Sequence, residues 1–259
     1  MKYCPLNVKK IQQGEKKMPG KTRSTFSVVV NFLLLLTFLV LPLYFVACSD
    51  DDEDDDSSAA FDPYFPMNQG NIWDFVVQGQ DDVGTGQAEV LENVSFNSYS
   101  AVPVEFSETS GIGLGNGTVY QLVTADTVDI LGGYNDDLTI TLDTPLRLYQ
   151  FPLAVGNSWN SATSLTFDIF PIKVTMSTKV EAQEDITVQG KKYTDAFRLL
   201  SDVTVTYTIV IPITVEGTVT SWLARDVGPI KTVADIPDLP LELLAGGTYS
   251  VEVTGTNFN

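Results

Sequence analysis

Residues 203–215 read VTVTYTIVIPITV. Val203, Val205, Tyr207, Ile209, Ile211, Ile213 and Val215 share one parity, and the other parity is mostly threonine. Successive side chains of a β-strand point to opposite faces, so this run buries one face and wets the other, the habit of an antiparallel sheet. Pro212 has no N–H to give to a ladder; the run is therefore an edge strand, a strand bulged at the proline, or two strands meeting at a bend. Residues 173–180 alternate in the same way, with Val174, Met176 and Val180 set between Lys173, Thr175, Ser177 and Lys179.

From residue 60 onward, short apolar runs are punctuated by Gly, Asn, Asp and Pro, and long helical periodicity is missing. That pattern predicts an all-β domain. Turns are expected at 80–86, 111–117, 132–137 and Gln189-Gly190, and the last strand over 248–254. One short helix is expected over 238–245, where Pro240 suits a first turn. The expected architecture is a single antiparallel sheet, curved or half-barrelled, with a two-sheet β-sandwich as the alternative.

The N-terminal region is of another kind. Lys2, Lys9, Lys10, Lys16, Lys17, Lys21 and Arg23 face the single acid Glu15, and an almost unbroken apolar run over 28–47 ends at Ala47-Cys48. Basic residues flanking an apolar segment stay on the cytoplasmic side, so residues after 48 are expected outside the cytoplasm. The arrangement resembles a bacterial lipoprotein signal. That resemblance implies cleavage after Ala47, acylation of Cys48, and a signal peptide over 1–47; Met1 and Met18 are both possible starts. An apolar run of this length could alternatively cross a bilayer as an uncleaved signal anchor. Seven consecutive carboxylates, Asp50 to Asp56, follow Ser49. Such a run repels itself and buries nothing, so 48–60 is expected as a lipidated cysteine on a solvated linker. Ser49, Asp50 and Asp51 resemble an acidic sorting tag that directs lipoproteins to the outer face of the outer membrane; retention on the periplasmic leaflet is the alternative.

The domain over 61–259 carries 25 acids against 8 basic residues, an excess of 17 negative charges. Such a field repels phosphate backbones and excludes nucleic acid as an expected partner. Cys4 and Cys48 are the two cysteines, so the domain has no thiol for a disulfide, and a chain of this length needs none to build a core.

A motif occurs twice. Phe65, Pro66, Gly70, Asn71 and Trp73 recur at the same offsets as Phe151, Pro152, Gly156, Asn157 and Trp159. Phe-Pro favours an extended approach, Gly-Asn tolerates positive φ, and Trp opens the next strand with a large apolar surface. Two copies suggest pseudo-repeat halves at about 61–145 and 146–259. A third tryptophan lies in Trp222-Leu223-Ala224-Arg225-Asp226-Val227-Gly228-Pro229-Ile230-Lys231, and Asp195 to Leu199 reads DAFRL. Taken together, FPLxxGNxW, DAFRL and WxAxxVGxxK resemble a group of uncharacterised bacterial lipoproteins over about residues 62–235. The resemblance implies an envelope location and a curved antiparallel sheet akin to the half-barrel of the periplasmic lipoprotein carriers LolA and LolB. It implies no catalytic residue. This chain departs from the pattern at Pro229 and at Asn160, where an aromatic is usual.

The chain contains no histidine. Ser-His-Asp and Cys-His catalysis are thereby excluded, as are ordinary zinc, copper, haem and iron–sulfur sites in the domain. What remains is carboxylate chemistry, a Ser-Lys pair, or calcium held by turn oxygens, for which Asp81, Asp82, Asp136 and Asp137 are weak candidates. No cofactor is expected. Trp73, Trp159 and Trp222 could stack on sugar rings, but their repetition at strand starts favours the core. The expected function is a non-enzymatic, membrane-anchored β domain of the cell envelope that binds an apolar ligand or serves in structure or assembly. A surface module for glycans or proteins is the first alternative and a carboxylate-dependent hydrolase the second.

Overall fold

A computed structural model describes residues 63–79, 83–108, 116–135, 138–167, 170–208, 212–237 and 247–258. Every regular element among them is a strand: β1 (Ile72–Gln78), β2 (Val83–Val90), β3 (Val94–Phe96), β4 (Tyr99–Glu108), β5 (Gly117–Val123), β6 (Thr127–Asn135), β7 (Leu138–Gln150), β8 (Ser158–Phe167), β9 (Phe170–Val188), β10 (Lys191–Thr208), β11 (Pro212–Ala224), β12 (Gly228–Ile236) and β13 (Gly247–Thr256). The leader, the acidic linker and the expected helix over 238–245 lie outside the described residues.

One antiparallel sheet runs in the order β7-β6-β5-β4-β2-β1-β13-β12-β11-β10-β9-β8, with β3 paired to β4 alone. Its two ends come together. Thr163 Oγ1 donates to the Thr144 carbonyl at 2.7 Å, and the Arg147 N–H donates to Ser161 Oγ at 2.7 Å. Thr144 Oγ1 donates in turn to the Ala162 carbonyl at 3.1 Å, and Ser164 Oγ reaches the Asp143 carboxylate. Side-chain hydroxyls thus bridge β7 and β8 where backbone ladders bridge every other neighbour, and the sheet is nearly closed. The curved single sheet expected from the sequence is the one found, and the sandwich alternative is set aside.

The run that set the fold class divides at its proline: β10 ends at Thr208, β11 begins at Pro212, and the two residues face each other in the ladder. Pro212 sits where its missing N–H costs least, at a strand start. Ile209 and Ile211 fall outside the described residues. Gln189 and Gly190, with φ of 48° and 80°, form the tight turn expected between β9 and β10. Asn97 and Ser98, with φ of 48° and 69°, make a second such turn that the sequence reading missed because it lacks glycine. Three expected turns shrink because glycines in them join strands: Gly84 and Gly86 lie in β2, Gly117 opens β5, and Gly132 and Gly133 lie in β6. At Gly86 a Cβ would sit 2.4 Å from the Phe75 ring, so glycine is required there by close approach and not by a turn.

The core fills the inside of the sheet. Trp73, Phe75, Val77, Val104, Val119, Ile130, Val180, Leu199, Leu223, Ile230 and Val251 are buried in one continuous cluster. Burying such a side chain contributes about 1.5–3 kcal/mol each. One end of the barrel, the base, is capped by the chain that precedes β1 and β8. Phe65 packs on Tyr149 at 5.3 Å, Tyr149 on Phe151 at 6.3 Å, and Trp73 on Phe258 at 5.4 Å between ring centroids. Tyr64 meets Phe197 edge-on at 5.1 Å, and the Pro63 carbonyl accepts from the Asp226 N–H at 2.8 Å.

Candidate functional site

The opposite, distal end differs on one wall. Strands β9, β10 and β11 outrun β12 there, whose ladder with β11 begins only at Thr218↔Asp235. Residues Pro212–Gly217 of β11 therefore continue beyond the end of that ladder. The register fixes which side chains face inward: Val205 pairs with Val174 and Val215, Val203 with Met176 and Gly217, and Tyr207 with Ile172 and Ile213. Ile172, Val174 and Met176 belong to the buried core. Val203, Val205, Ile213, Val215, Ile236 and Tyr249 pack against that core but are only half-buried. An apolar inner wall that stays partly open to solvent is the feature of this fold that most calls for an occupant.

At the floor of this wall two hydroxyls meet. Thr178 Oγ1 and Ser201 Oγ lie 2.8 Å apart, with Thr178 only 1% exposed. A second pair, Ser221 Oγ and Thr232 Oγ1 at 3.3 Å, lies deeper. Inward positions from Leu165 on β8 round to Tyr249 on β13 hold no charged residue among those described. The same strands carry Lys173, Lys179, Asp202, Glu216 and Asp235 exposed on the outer face. On these strands the alternation of the sequence thus sorts charge to the outside and leaves a neutral inner wall.

The outer face gathers the remaining motif residues. Arg198 of DAFRL, Trp222 and Lys231 of WxAxxVGxxK, and Glu252 stand opposite one another across β10, β11, β12 and β13. Lys231 Nζ is 2.6 Å from Glu252 Oε1 and 5.9 Å from the Trp222 ring centroid. Trp222 Nε1 donates to Glu184 Oε1 at 2.9 Å, and Arg198 lies 3.5 Å from Glu181 and 3.6 Å from Glu184. Gln189 Nε2 completes the row with a 2.7 Å bond to Glu252 Oε2. Half-exposed pairs of this kind contribute about 0–1 kcal/mol apiece, so the row's main effect is to hold four strands in register.

Of the residues singled out in the sequence, Trp73 is 0% and Trp159 7% exposed, both inside the barrel. Trp222 is on the outer face, its indole engaged as described. Ala47, Cys48, Ser49, Asp50, Asp51, Asp81, Asp82, Asp136 and Asp137 lie outside the described residues. Among the described residues no group of three Cys, Asp or Glu side chains is placed to hold a metal ion. Glu184, Glu252 and the Thr178–Ser201 pair had no signal in the sequence, because each acquires its meaning from a cross-strand neighbour more than 20 residues away.

No family model matches the chain, and no curated protein matches it. Among solved structures it is similar to a proposed lipoprotein from Parabacteroides distasonis, at 12% identity and a TM-score of 0.52, over 76% of this chain and 99% of the other. It is also similar to a proposed exported protein with a YmcC-like fold from Bacteroides fragilis, at 11% identity and a TM-score of 0.49, over 74% of this chain and 97% of the other. The first of these likenesses shows a shared fold.

Proposed function

We propose that this chain is a lipid-anchored protein of the bacterial cell envelope whose barrel, without catalysing a reaction, holds an apolar ligand against the distal inner wall. The observation that carries the reading is the half-buried state of Val203, Val205, Ile213, Val215, Ile236 and Tyr249, inward-facing apolar side chains left partly open. Exposing apolar surface to water costs about 25 cal/mol per Å², so a ligand that covers these groups gains what folding left unclaimed. The envelope location rests on the step from the apolar run to Cys48 and the acidic linker, and it agrees with the Parabacteroides protein being a proposed lipoprotein. Acyl chains on Cys48 would anchor the protein, each buried methylene contributing about 0.8 kcal/mol.

The uncharged dye N-phenylnaphthylamine tests the ligand. Full-length protein in lipid nanodiscs is expected to bind it saturably above empty discs, and Val205→Asp is expected to abolish that excess. Saturation identical to empty discs would remove the ligand-binding reading. Palmitate labelling tests the anchor: wild type is expected to incorporate label and Cys48→Ser to lose it. Protease added to intact cells then distinguishes the two leaflets, since digestion before lysis requires surface display.

We further propose that the two halves of the barrel descend from one six-stranded unit. Copy for copy, Gly70 N–H donates to the Val90 carbonyl and Gly156 N–H to the Val180 carbonyl, both at 2.8 Å. Val90 N–H donates back to Asn71 at 3.0 Å and Val180 N–H to Asn157 at 2.9 Å. Each motif clamps the first hairpin of its half.

A further inference from the structure

We infer that the ligand of the distal wall is an uncharged long-chain amphiphile, one whose head can exchange a hydrogen bond with the Thr178–Ser201 hydroxyl pair. The inference rests on the proposed ligand-binding role and sharpens it to a chemical class.

Three observations select the class. First, the accessible wall is made of Val203, Val205, Ile213, Val215, Ile236 and Tyr249, which offer length and, the Tyr249 phenol apart, no polarity. A chain that covers them must itself be apolar. Second, no inward position of this wall among the described residues carries a charge. A carboxylate or ammonium drawn inside would leave water and meet no counter-ion among the described residues, or would have to give up its charge. The field outside adds to this for anions: an excess of 17 negative charges on the domain disfavours the approach of a fatty-acid anion before it reaches the wall.

Third, the wall is not wholly apolar. Thr178 and Ser201 bond to each other at 2.8 Å, and that bond uses one of their two hydroxyl hydrogens. The other hydrogen is left to donate, and the oxygens keep lone pairs to accept. Ser201 is half-buried and directly precedes, on the inward parity of β10, the open row Val203 and Val205. A head placed on Ser201 therefore lets the chain run distally along that row, past Val215 and Ile213. An alcohol or a glyceride hydroxyl satisfies the pair in either direction. A pure hydrocarbon would leave it no worse than it is now, and gains nothing from it.

The test is competition for the dye in nanodiscs, reported as the excess over empty discs, among oleyl alcohol, monoolein, oleate and oleylamine at pH 8 and low salt. Oleyl alcohol and monoolein are expected to displace it at concentrations at least about tenfold lower than oleate or oleylamine. Ser201→Ala, and separately Thr178→Val, are expected to weaken the two neutral competitors by about three- to tenfold while leaving dye affinity within about twofold. Retained dye binding also certifies that each variant has folded. Oleate competing as well as oleyl alcohol would overturn the inference, as would a neutral preference unaffected by both substitutions. Failure of the dye itself to bind wild type is a different result: it removes the ligand-binding role altogether and not the choice of class alone.

Discussion

Tyr149 shows how a single side chain in this barrel trades polarity for packing. It is 2% exposed, wedged between Phe65 and Phe151, and its hydroxyl has no protein hydrogen-bond partner among the described residues. Burial pushes its phenol well above the ordinary value near 10. The sign of the linkage follows. In the folded protein the phenol keeps its proton where the unfolded chain would release it. The stability it contributes is therefore complete below pH 10 or so and is lost as pH rises through and beyond that value. Tyr149→Phe keeps the ring, removes the orphaned hydroxyl and removes the titration. At pH 7 it is expected to be within about 1 kcal/mol of wild type or more stable, and its alkaline unfolding midpoint is expected to move to higher pH in a circular-dichroism titration. A destabilisation of several kcal/mol at pH 7 would mean that the hydroxyl has a partner after all. The buried indole nitrogens of Trp73 and Trp159 belong to the same category. The sequence favoured them as core because they repeat at strand starts, and nothing in it announced that their N–H groups would be buried without a protein partner among the described residues.

Among elements, the duplicated motif was the most legible feature, since it needs only local chemistry. Phe-Pro, Gly-Asn and Trp are read from neighbours along the chain, and both copies make the same pair of bonds to the following hairpin. Gly70 and Gly156 adopt φ of 82° and 94°, and a Cβ at either would touch nothing within 4 Å. Alanine there is penalised by backbone conformation alone, about 1 kcal/mol. β1 and β8 are six strands apart in either direction around the ring, so the two sites share no partner. Gly70→Ala and Gly156→Ala are accordingly expected to cost about the same in urea unfolding, and the double variant to cost their sum within about 0.5 kcal/mol. A strongly unequal pair would show that one copy carries a burden its twin does not. The row Arg198, Trp222, Lys231 and Glu252 was legible only in part: DAFRL and WxAxxVGxxK were visible as motifs, but their convergence on one outer stripe is a product of register. Register depends on pairings between distant segments, and a one-residue slip would send every one of these side chains inside.

At the scale of the whole molecule, the barrel is two meanders joined twice, and the two joints are unlike. β13 meets β1 through a backbone ladder running from Trp73↔Thr256 to Gln78↔Ser250. β7 meets β8 through Thr144, Thr163, Ser161 and Arg147, with short side chains standing in for ladder partners. The alternation that fixed the class in the sequence says nothing about closure, because closure is a contact between the ends of the sheet path. A ladder removes amides from water cooperatively, whereas a hydroxyl bridge depends on side-chain rotamers and opens without unpairing β7 from β6 or β8 from β9. Amides bridged at this joint, that of Arg147 foremost, are therefore expected to exchange with deuterium at least about tenfold faster than those of Val76 and its partner Glu252 in the opposite joint, under native conditions. Thr163→Val keeps the volume of the side chain and deletes the bridge to Thr144. It is expected to widen that difference while leaving β13 and β1 as protected as before. Equal protection at both joints in wild type would mean that the barrel is sealed all the way round, and that any ligand must enter over the distal rim and not between β7 and β8.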